Sequence, residues 1–118
     1  MENNEFDKGI KFSFSDSISY SEKAVVSKQL LKNEAGNISL FAFDIGEGLS
    51  EHTSPYDAVV QIVDGKADII INGISNILRA GETIIMPANS PHELKALEKF
   101  KMVLTLIKGK KEPVKNPA

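Results

Sequence analysis

The two histidines, His52 and His92, are the side chains in this sequence best suited to chemistry near neutral pH. They are the only imidazoles in the chain, and imidazole is the side chain whose ordinary pKa lets it exchange a proton between pH 5 and 8. Imidazole nitrogens also bind divalent metal ions. Each histidine heads a segment in which apolar and polar residues alternate, as they do in a strand. If these strands fold back on one another, the two rings can share one cavity.

The composition describes a single small domain. A chain of 118 residues with 42% hydrophobic and 25% charged residues has the balance of a globular protein with one core. The net charge of -2 and the pI of about 5.7 give no electrostatic reason to expect nucleic acid or an anionic membrane as partner. No cysteine is present, which excludes disulfides, thiolate metal sites and cysteine nucleophiles. With a polar, acidic start in place of a signal peptide, we expect a cytoplasmic protein.

The elements that must position the histidines are short strands. Residues 10–14, 18–20, 38–43, 51–53, 56–63, 67–71, 74–78, 83–86, 92–97 and 100–107 are predicted as strands or short extended segments. Asp64-Gly65 and Asn72-Gly73 are predicted hairpin turns, and Gly81 marks a third turn. Short strands at regular spacing with no long helix predict an all-β antiparallel barrel or sandwich.

Residues 21–32 fit two patterns. They could form a helix capped by Ser21, but Val25, Ser27, Gln29 and Leu31 alternate equally well. The turn sequence at 34–37 favours a strand that enters a hairpin. We expect flexible ends at residues 1–8 and in the Lys- and Pro-rich tail, 108–118.

Two spaced motifs resemble those of the cupins, small jelly-roll barrels. Gly46 is followed by five residues and His52, with Gly65 closing the first motif, and Gly81, Pro87 and His92 fit the second. The segments EHTSPYDA and MPANSPH also resemble those of a group of small single-domain bacterial cupins without an assigned activity. The resemblance implies a single-domain cupin, an antiparallel double-stranded β-helix or jelly-roll barrel, over residues 9–107.

Half of the family's usual metal ligands are absent. The resemblance places Ser54 at the second histidine position and Ala58 at the glutamate position, and Asn89 and Ala96 replace a usual glycine and asparagine. Three carboxylates, Glu51, Asp57 and Glu93, stand one residue from motif positions, and a one-residue offset turns a strand side chain to the other face. A bulge near Pro55 is the one device that would re-aim Asp57. A divalent ion (Zn, Ni, Fe or Mn) would therefore be held weakly, by His52 and His92 alone.

Without a metal, the two histidines become a polar pair in an apolar barrel. We predict that they are the catalytic residues, if the protein is an enzyme, and that they face a pocket for a small molecule. Ile62, Ile69 and Ile71 share the predicted inward phase. The predicted pocket residues are Ser54, Ala58, Val60, Ile85, Leu94 and Met102.

Three functions remain open on the sequence alone. The first is a small-molecule-binding barrel of unassigned activity. The second is an enzyme of the isomerase, cyclase, decarboxylase or dioxygenase type, which uses a weak two-histidine metal site or a metal-free histidine pair. The third is an assembly module, and the resemblance also implies a homodimer. No cofactor is firmly predicted, and the partners expected are a small-molecule ligand and a second copy.

Overall fold

A computed structural model describes residues 6–109, and its regular elements are seven strands. Their bounds are β1 Val25–Asn33, β2 Gly36–Phe43, β3 Gly48–His52, β4 Asp57–Ile71, β5 Ile74–Arg79, β6 Thr83–Met86 and β7 His92–Ile107. All strand pairs are antiparallel. The predicted all-β jelly-roll architecture is confirmed. No helix in residues 6–109 is long and apolar enough to cross a membrane.

The two longest strands, β4 and β7, hold the fold together because each contributes to two sheets. The N-terminal half of β4 pairs with β6, and the C-terminal half of β7 pairs with β2, which in turn pairs with β1. This gives the order β6-β4-β7-β2-β1, which we call sheet I. The other halves of β4 and β7 pair with β3 and β5 in the order β3-β7-β4-β5, which we call sheet II. The β4–β7 register shifts between Ile62 and Asp64 and again between Gly65 and Ala67. Since bulges bend strands, these shifts mark the corner between the sheets.

The core lies between the two sheets, where the inward positions of both meet. Alternation along β4 buries Ala58, Val60 and Ile62 on one side of the corner and Ile69 and Ile71 on the other. The predicted inward phase of β4 is therefore confirmed. On β7, Met102 is buried in this core, and Leu104 and Leu106 are partly buried against it. The buried members of the cluster are Phe43, Ala58, Val60, Ile62, Ala67, Ile69, Ile71, Leu78, Met86, Leu94, Ala96, Phe100 and Met102.

Several predicted features differ in the structure. The segments 92–97 and 100–107 form one strand, β7, and residues 18–20 lie outside the strands. Asp64-Gly65 is not a hairpin turn, because β4 runs through it and Gly65 pairs with Phe100 of β7. Gly65 has a φ of 81°. A positive φ of this kind suits a hairpin turn, but in this strand it forms a bulge. The strand predicted at 10–14 is also wrong, since these residues form no ladder and continue into a turn. By contrast, the strand interpretation of 21–32 is confirmed by β1.

The segment 6–20 packs over the outer face of sheet I instead of joining it. Ile18 is 3% exposed and belongs to a second apolar cluster with Leu40, Ala42 and Val103 of the sheet. Lysines of the sheet also reach it: Lys101 Nζ donates to the Ser15 carbonyl at 2.6 Å, and Lys28 Nζ to that of Ser17 at 2.9 Å. The ends predicted to be flexible, 1–8 and 108–118, lie mostly outside the described residues.

Candidate functional site

A bulge in β3 places His52 on the inward face. Leu49 lies opposite Leu94 of β7, and His52 lies opposite His92, so three residue steps on β3 match two on β7. Without the extra residue, His52 and Leu49 would face opposite sides, because side chains alternate along a strand. The bulge at Ser50 and Glu51 therefore makes the two histidines direct cross-strand partners.

The imidazole rings of His52 and His92 are in contact. Their Nε2 atoms lie 3.1 Å apart, and the ring centroids are separated by 4.3 Å with an interplanar angle of 75°. His92 is 4% exposed, whereas His52 remains accessible to solvent although its ring contacts His92. The pair thus lies at a boundary between the core and the outside. The predicted meeting of the two rings is found in the structure.

Backbone carbonyls determine which nitrogen of each ring carries the hydrogen. His52 Nδ1 lies 2.8 Å from the carbonyl oxygen of Ser50, and His92 Nδ1 lies 3.1 Å from that of Ser90. A carbonyl oxygen only accepts, so both Nδ1 atoms donate and a neutral ring keeps its lone pair on Nε2. Two lone pairs 3.1 Å apart repel one another unless a proton or a cation lies between them. The pair is therefore a site for one positive centre or one hydrogen-bond donor.

The surroundings of His92 favour its neutral form. Burial lowers the pKa of His92 below its usual 6.5, and the charge of His52 lowers it further, while the bond to the Ser90 carbonyl acts in the opposite direction. Desolvation is the largest of the three effects. A buried, neutral imidazole with a free Nε2 can accept a hydrogen bond, take a proton or bind a metal ion.

Hydrogen bonds join the loops on either side of the histidines. The amide of Asn89, in the loop before His92, donates to the Ser54 carbonyl at 2.7 Å, and the Ala88 amide donates to Asp57 Oδ1 at 2.8 Å. Asn89 has a φ of 66°, a left-handed conformation that asparagine tolerates better than most residues. This explains how Asn89 serves where the family usually has glycine.

The polar side chains near the histidines make contacts with other residues. The carboxylate of Asp57 is occupied by the Ala88 amide, so it holds a loop. The Ser54 hydroxyl accepts a bond from the Tyr56 amide at 3.2 Å and retains its own proton for donation. Glu93 forms an ion pair with Lys95 at 3.9 Å. Within residues 6–109, no carboxylate joins the two histidines in a group of three or more potential metal ligands.

The histidine pair fits half of a metal site. Two ligands of one tetrahedral zinc ion at bonds of ~2.05 Å lie about 3.3 Å apart, close to the 3.1 Å seen here. Carbonyls that accept from Nδ1 are the usual support of metal-binding histidines. However, residues 6–109 contain no group of three or more His, Asp or Glu side chains placed to hold an ion. A metal here would need water or a ligand to complete its coordination.

The predicted pocket residues fall into three groups. Ala58, Val60, Leu94 and Met102 are 0–3% exposed, so they face inward as expected and contact other side chains. Ser54 is half-buried beside the loop before His92. The prediction that the sixth residue, Ile85, lines the pocket is wrong.

Ile85 points outward, not into the barrel. It is 60% exposed, while its neighbours Ile84 and Met86 pack against the core. The run Ile84-Ile85-Met86 is apolar throughout, so its inward phase cannot be read from alternation. Pairing of Ala58 with Met86 sets that phase.

Sequence reasoning missed the backbone part of the site. The carbonyls of Ser50 and Ser90, which set both tautomers, each lie two residues before a histidine. This common spacing is visible as Ser-x-His in both motifs. Ile71, the β4 partner of His92, had been predicted only as an inward residue.

Comparison with known proteins supports this architecture. The family model described as "Cupin domain" matches residues 39–108. A conserved protein of unknown function from Streptococcus pyogenes is 31% identical, with a TM-score of 0.86 over 92% of this chain and 95% of that one. A cupin 2 conserved barrel domain protein from Leptotrichia buccalis is 35% identical with a TM-score of 0.80. That match covers 82% of this chain but only 47% of the Leptotrichia chain.

A third structure shows the fold alone. This cupin superfamily protein from Desulfitobacterium hafniense is 24% identical, with a TM-score of 0.82 over 91% of this chain and 98% of that one. The search of curated proteins found no match. The family match spans more than half of the chain and includes both histidine motifs. The chain therefore belongs to the cupin family.

Proposed function

We propose that this cupin binds a small molecule at the Nε2 atoms of His52 and His92. The observation that carries the proposal is the 3.1 Å approach of two Nε2 atoms whose Nδ1 atoms already donate to carbonyls. Two acceptors that converge in this way favour a ligand with a hydroxyl or protonated acid group, which would replace the repulsion with hydrogen bonds. The convergence of the two acceptors supports this role.

The surroundings of the pair suggest the rest of the ligand. His92 lies between His52 and Ile71 in one cross-strand row, and Leu49 and Leu94 form the neighbouring row on the same face. A small ligand with an apolar body and one polar donor would match this environment. Val60 and Met102 leave almost no accessible surface, so we propose binding at the histidine end of the barrel. We also propose that the Ser54 hydroxyl, whose oxygen accepts from the Tyr56 amide, donates its proton to the ligand.

A divalent cation is the second candidate for the position between the rings. His52 and His92 would hold it, with water or an anionic ligand in the remaining coordination positions. When bound, the ion would supply positive charge for an anionic ligand. Zinc, nickel, iron and manganese are the ions to test. The two-ligand set leads us to expect weak binding that dialysis against a chelator reverses.

Ligand screening with two variants tests the site. Thermal-shift measurements on a panel of small phenols, carboxylic acids and sugars should detect a ligand, since 100 times the Kd adds about 2.7 kcal/mol of stability. His52→Gln and His92→Gln should each weaken binding at least about tenfold, equivalent to about 1.4 kcal/mol. Glu51→Gln is the matched control, because its exposed carboxylate neighbours His52. Unchanged affinity in both histidine variants would contradict the proposal.

Metal titration separates the two forms of the site. Calorimetry of the chelator-treated protein with each ion should give at most one weakly bound equivalent, absent in His92→Gln. Stoichiometric metal that survives dialysis would show a stronger site than two imidazoles provide. Ligand binding that persists in chelator would favour the metal-free form.

Proton transfer is the enzymatic alternative. Its support is the lowered pKa of His92, which keeps a base available at neutral pH. Isomerisation, cyclisation and decarboxylation are the reactions that such a pair would serve, and a dioxygenase would require the metal form. Deuterium exchange into a bound carbon acid, followed by NMR in D2O, would reveal transfer through His92. Exchange that is equally fast in His92→Gln would count against a catalytic role.

The cellular setting also remains a proposal. Lack of cysteine accords with a reducing compartment, and we expect a cytoplasmic protein.

A further inference from the structure

A pocket lies between the segment 6–20 and β1, and it shares no residue with the histidine site. Its volume is about 290 Å³, at the small end of the roughly 300–1,000 Å³ typical of small-molecule sites. Three apolar residues, two charged residues and one serine line it, namely Phe6, Ile10, Phe12, Asp7, Lys28 and Ser17. The pocket therefore combines an apolar wall with one charge of each sign.

A turn at Lys8 and Gly9 brings the apolar residues of the pocket together. Gly9 has a φ of 84°, which glycine adopts without strain. The rings of Phe6 and Phe12, on either side of this turn, have centroids 4.7 Å apart. Ile10 and Phe12 remain 65% and 46% exposed, so their apolar surfaces are open to a ligand.

Lys28 lies at an apolar position of sheet I. It pairs with Leu40, which is 0% exposed, and direct cross-strand partners share a face of the sheet. Val26 and Leu30, each two residues from Lys28 along β1, pack against the cluster that contains Leu40. The ammonium group of Lys28 is thus brought to the edge of an apolar cluster, where a charge needs polar partners.

The contacts of Lys28 leave part of this need unmet. Its partly buried Nζ atom donates to the Ser17 carbonyl at 2.9 Å. An ammonium group has three N–H donors, so two are left by its hydrogen bonds within residues 6–109. The ion pair found in this part of the chain joins Lys95 to Glu93. Lys28 and Asp7 line one pocket without pairing with each other, which leaves room for a ligand between them.

We propose that this pocket binds a free amino acid with an aromatic side chain, such as phenylalanine. The ligand carboxylate would accept from Lys28 Nζ, and the ligand ammonium group would pair with Asp7. Its ring would pack on Phe12, since aromatic rings favour offset or edge contacts with one another. A ligand with a single charge would leave one of the two charges of the wall unpaired. The proposal stands independently of ligand binding at the histidine pair.

Amide proton–nitrogen NMR titration with L-phenylalanine tests the site. A ligand of this size at ordinary ligand efficiency has a Kd on the order of 1 mM. The amide signals of Gly9, Ser17 and Lys28 should move, and that of His92 should not. Lys28→Met should raise the Kd at least about tenfold, because a charge-assisted bond to a partly buried group is lost. Asp7→Asn, at an exposed position, should raise it about threefold.

Matched controls separate the charges of the pocket from the attachment of the segment. Lys101→Met removes the other lysine bond to the segment, the 2.6 Å bond to the Ser15 carbonyl, and leaves both pocket charges in place. Asp16→Asn removes an exposed carboxylate of the segment that does not line the pocket. Both variants should keep the wild-type Kd for phenylalanine.

Two analogues test the charges without any substitution in the protein. Phenylpropanoate lacks the ammonium group of phenylalanine, and phenylethylamine lacks its carboxylate. Each should bind the wild type at least about threefold more weakly than phenylalanine does, because one ion pair is lost.

Three results would overturn the proposal. The first is a wild-type spectrum in which no amide of the segment 6–20 moves at ~10 mM phenylalanine, about ten times the expected Kd. The second is an equal loss of affinity in Lys28→Met and Lys101→Met, which would assign the effect to a loosened segment. The third is a singly charged analogue that binds as tightly as phenylalanine.

Discussion

Gly65 is the residue at which a single methyl group should damage the fold most. It lies at the corner of β4 with a φ of 81°, and it pairs with Phe100 of β7. A Cβ atom at this position would overlap the carbonyl oxygen of Lys99 and come 2.8 Å from the Cα atom of Phe100. Both are backbone atoms, so no side-chain rotation relieves the overlap.

The cost of Gly65→Ala has two parts. The left-handed backbone costs an L-residue about 1–2 kcal/mol. Separation of β4 from β7 at the corner adds about 2–4 kcal/mol, the range of a strained and disrupted core. A reduction in unfolded-chain entropy returns about 0.4–1 kcal/mol. We expect the free energy of unfolding to fall by about 2–5 kcal/mol.

Gly73→Ala is the matched control for the backbone part. Gly73 has a similar φ of 78°, but a Cβ atom there would meet nothing within 4 Å. Gly73→Ala should lower the free energy of unfolding by about 1 kcal/mol or less. Urea unfolding at one protein concentration measures both variants. Equal losses would refute the reasoning, because they would show that the close approach at the corner costs nothing.

Two further predictions concern the site. Since the pKa of folded His92 is lowered from 6.5, the unfolded chain takes up a proton first as the pH falls below about 6.5. Stability should therefore decrease with falling pH, by at most about 1.4 kcal/mol per pH unit from this group. His92→Gln, unfolded in chelator beside the wild type, should remove that part of the slope; an identical slope would contradict the lowered pKa. Asp57→Ala removes the acceptor of the Ala88 amide and should cost about 1–2 kcal/mol. Glu51→Ala, the control, should lower the free energy of unfolding by less than about 0.5 kcal/mol. Equal losses in the two variants would contradict the role of Asp57 in holding the loop.

Sequence patterns predicted the parts of the fold in which alternation is clear. Ala58, Val60 and Ile62 alternate with less buried residues on β4, and their inward phase follows directly. Alternation failed at 10–14, where Phe14 packs over a sheet without joining its ladder and Ile10 and Phe12 are exposed. The hairpin turn predicted at Asp64-Gly65 was wrong for a different reason. A positive φ is needed both in a hairpin and in a bulge, and only the pairing of β4 with β7 distinguishes them.

The site was predictable in its residues but not in its geometry. The motifs identified His52 and His92, yet their contact depends on the extra residue at Ser50 and Glu51. A bulge is a property of two paired strands, so one strand's sequence does not reveal it. The partial metal site follows from the same comparison: Ser54 and Ala58 stand where ligands would be, and no carboxylate replaces them within residues 6–109.

Long-range proton–nitrogen NMR of the imidazoles tests the central claim most directly. Because the chain has two histidines, the spectrum contains two rings, and His92→Gln assigns them. We predict that at neutral pH, in chelator, both rings carry hydrogen on Nδ1, and that substitution of His92 shifts the Nε2 signal of His52. An Nε2–H tautomer with a bare Nδ1 in either ring, or an unchanged His52 signal in His92→Gln, would contradict the paired site.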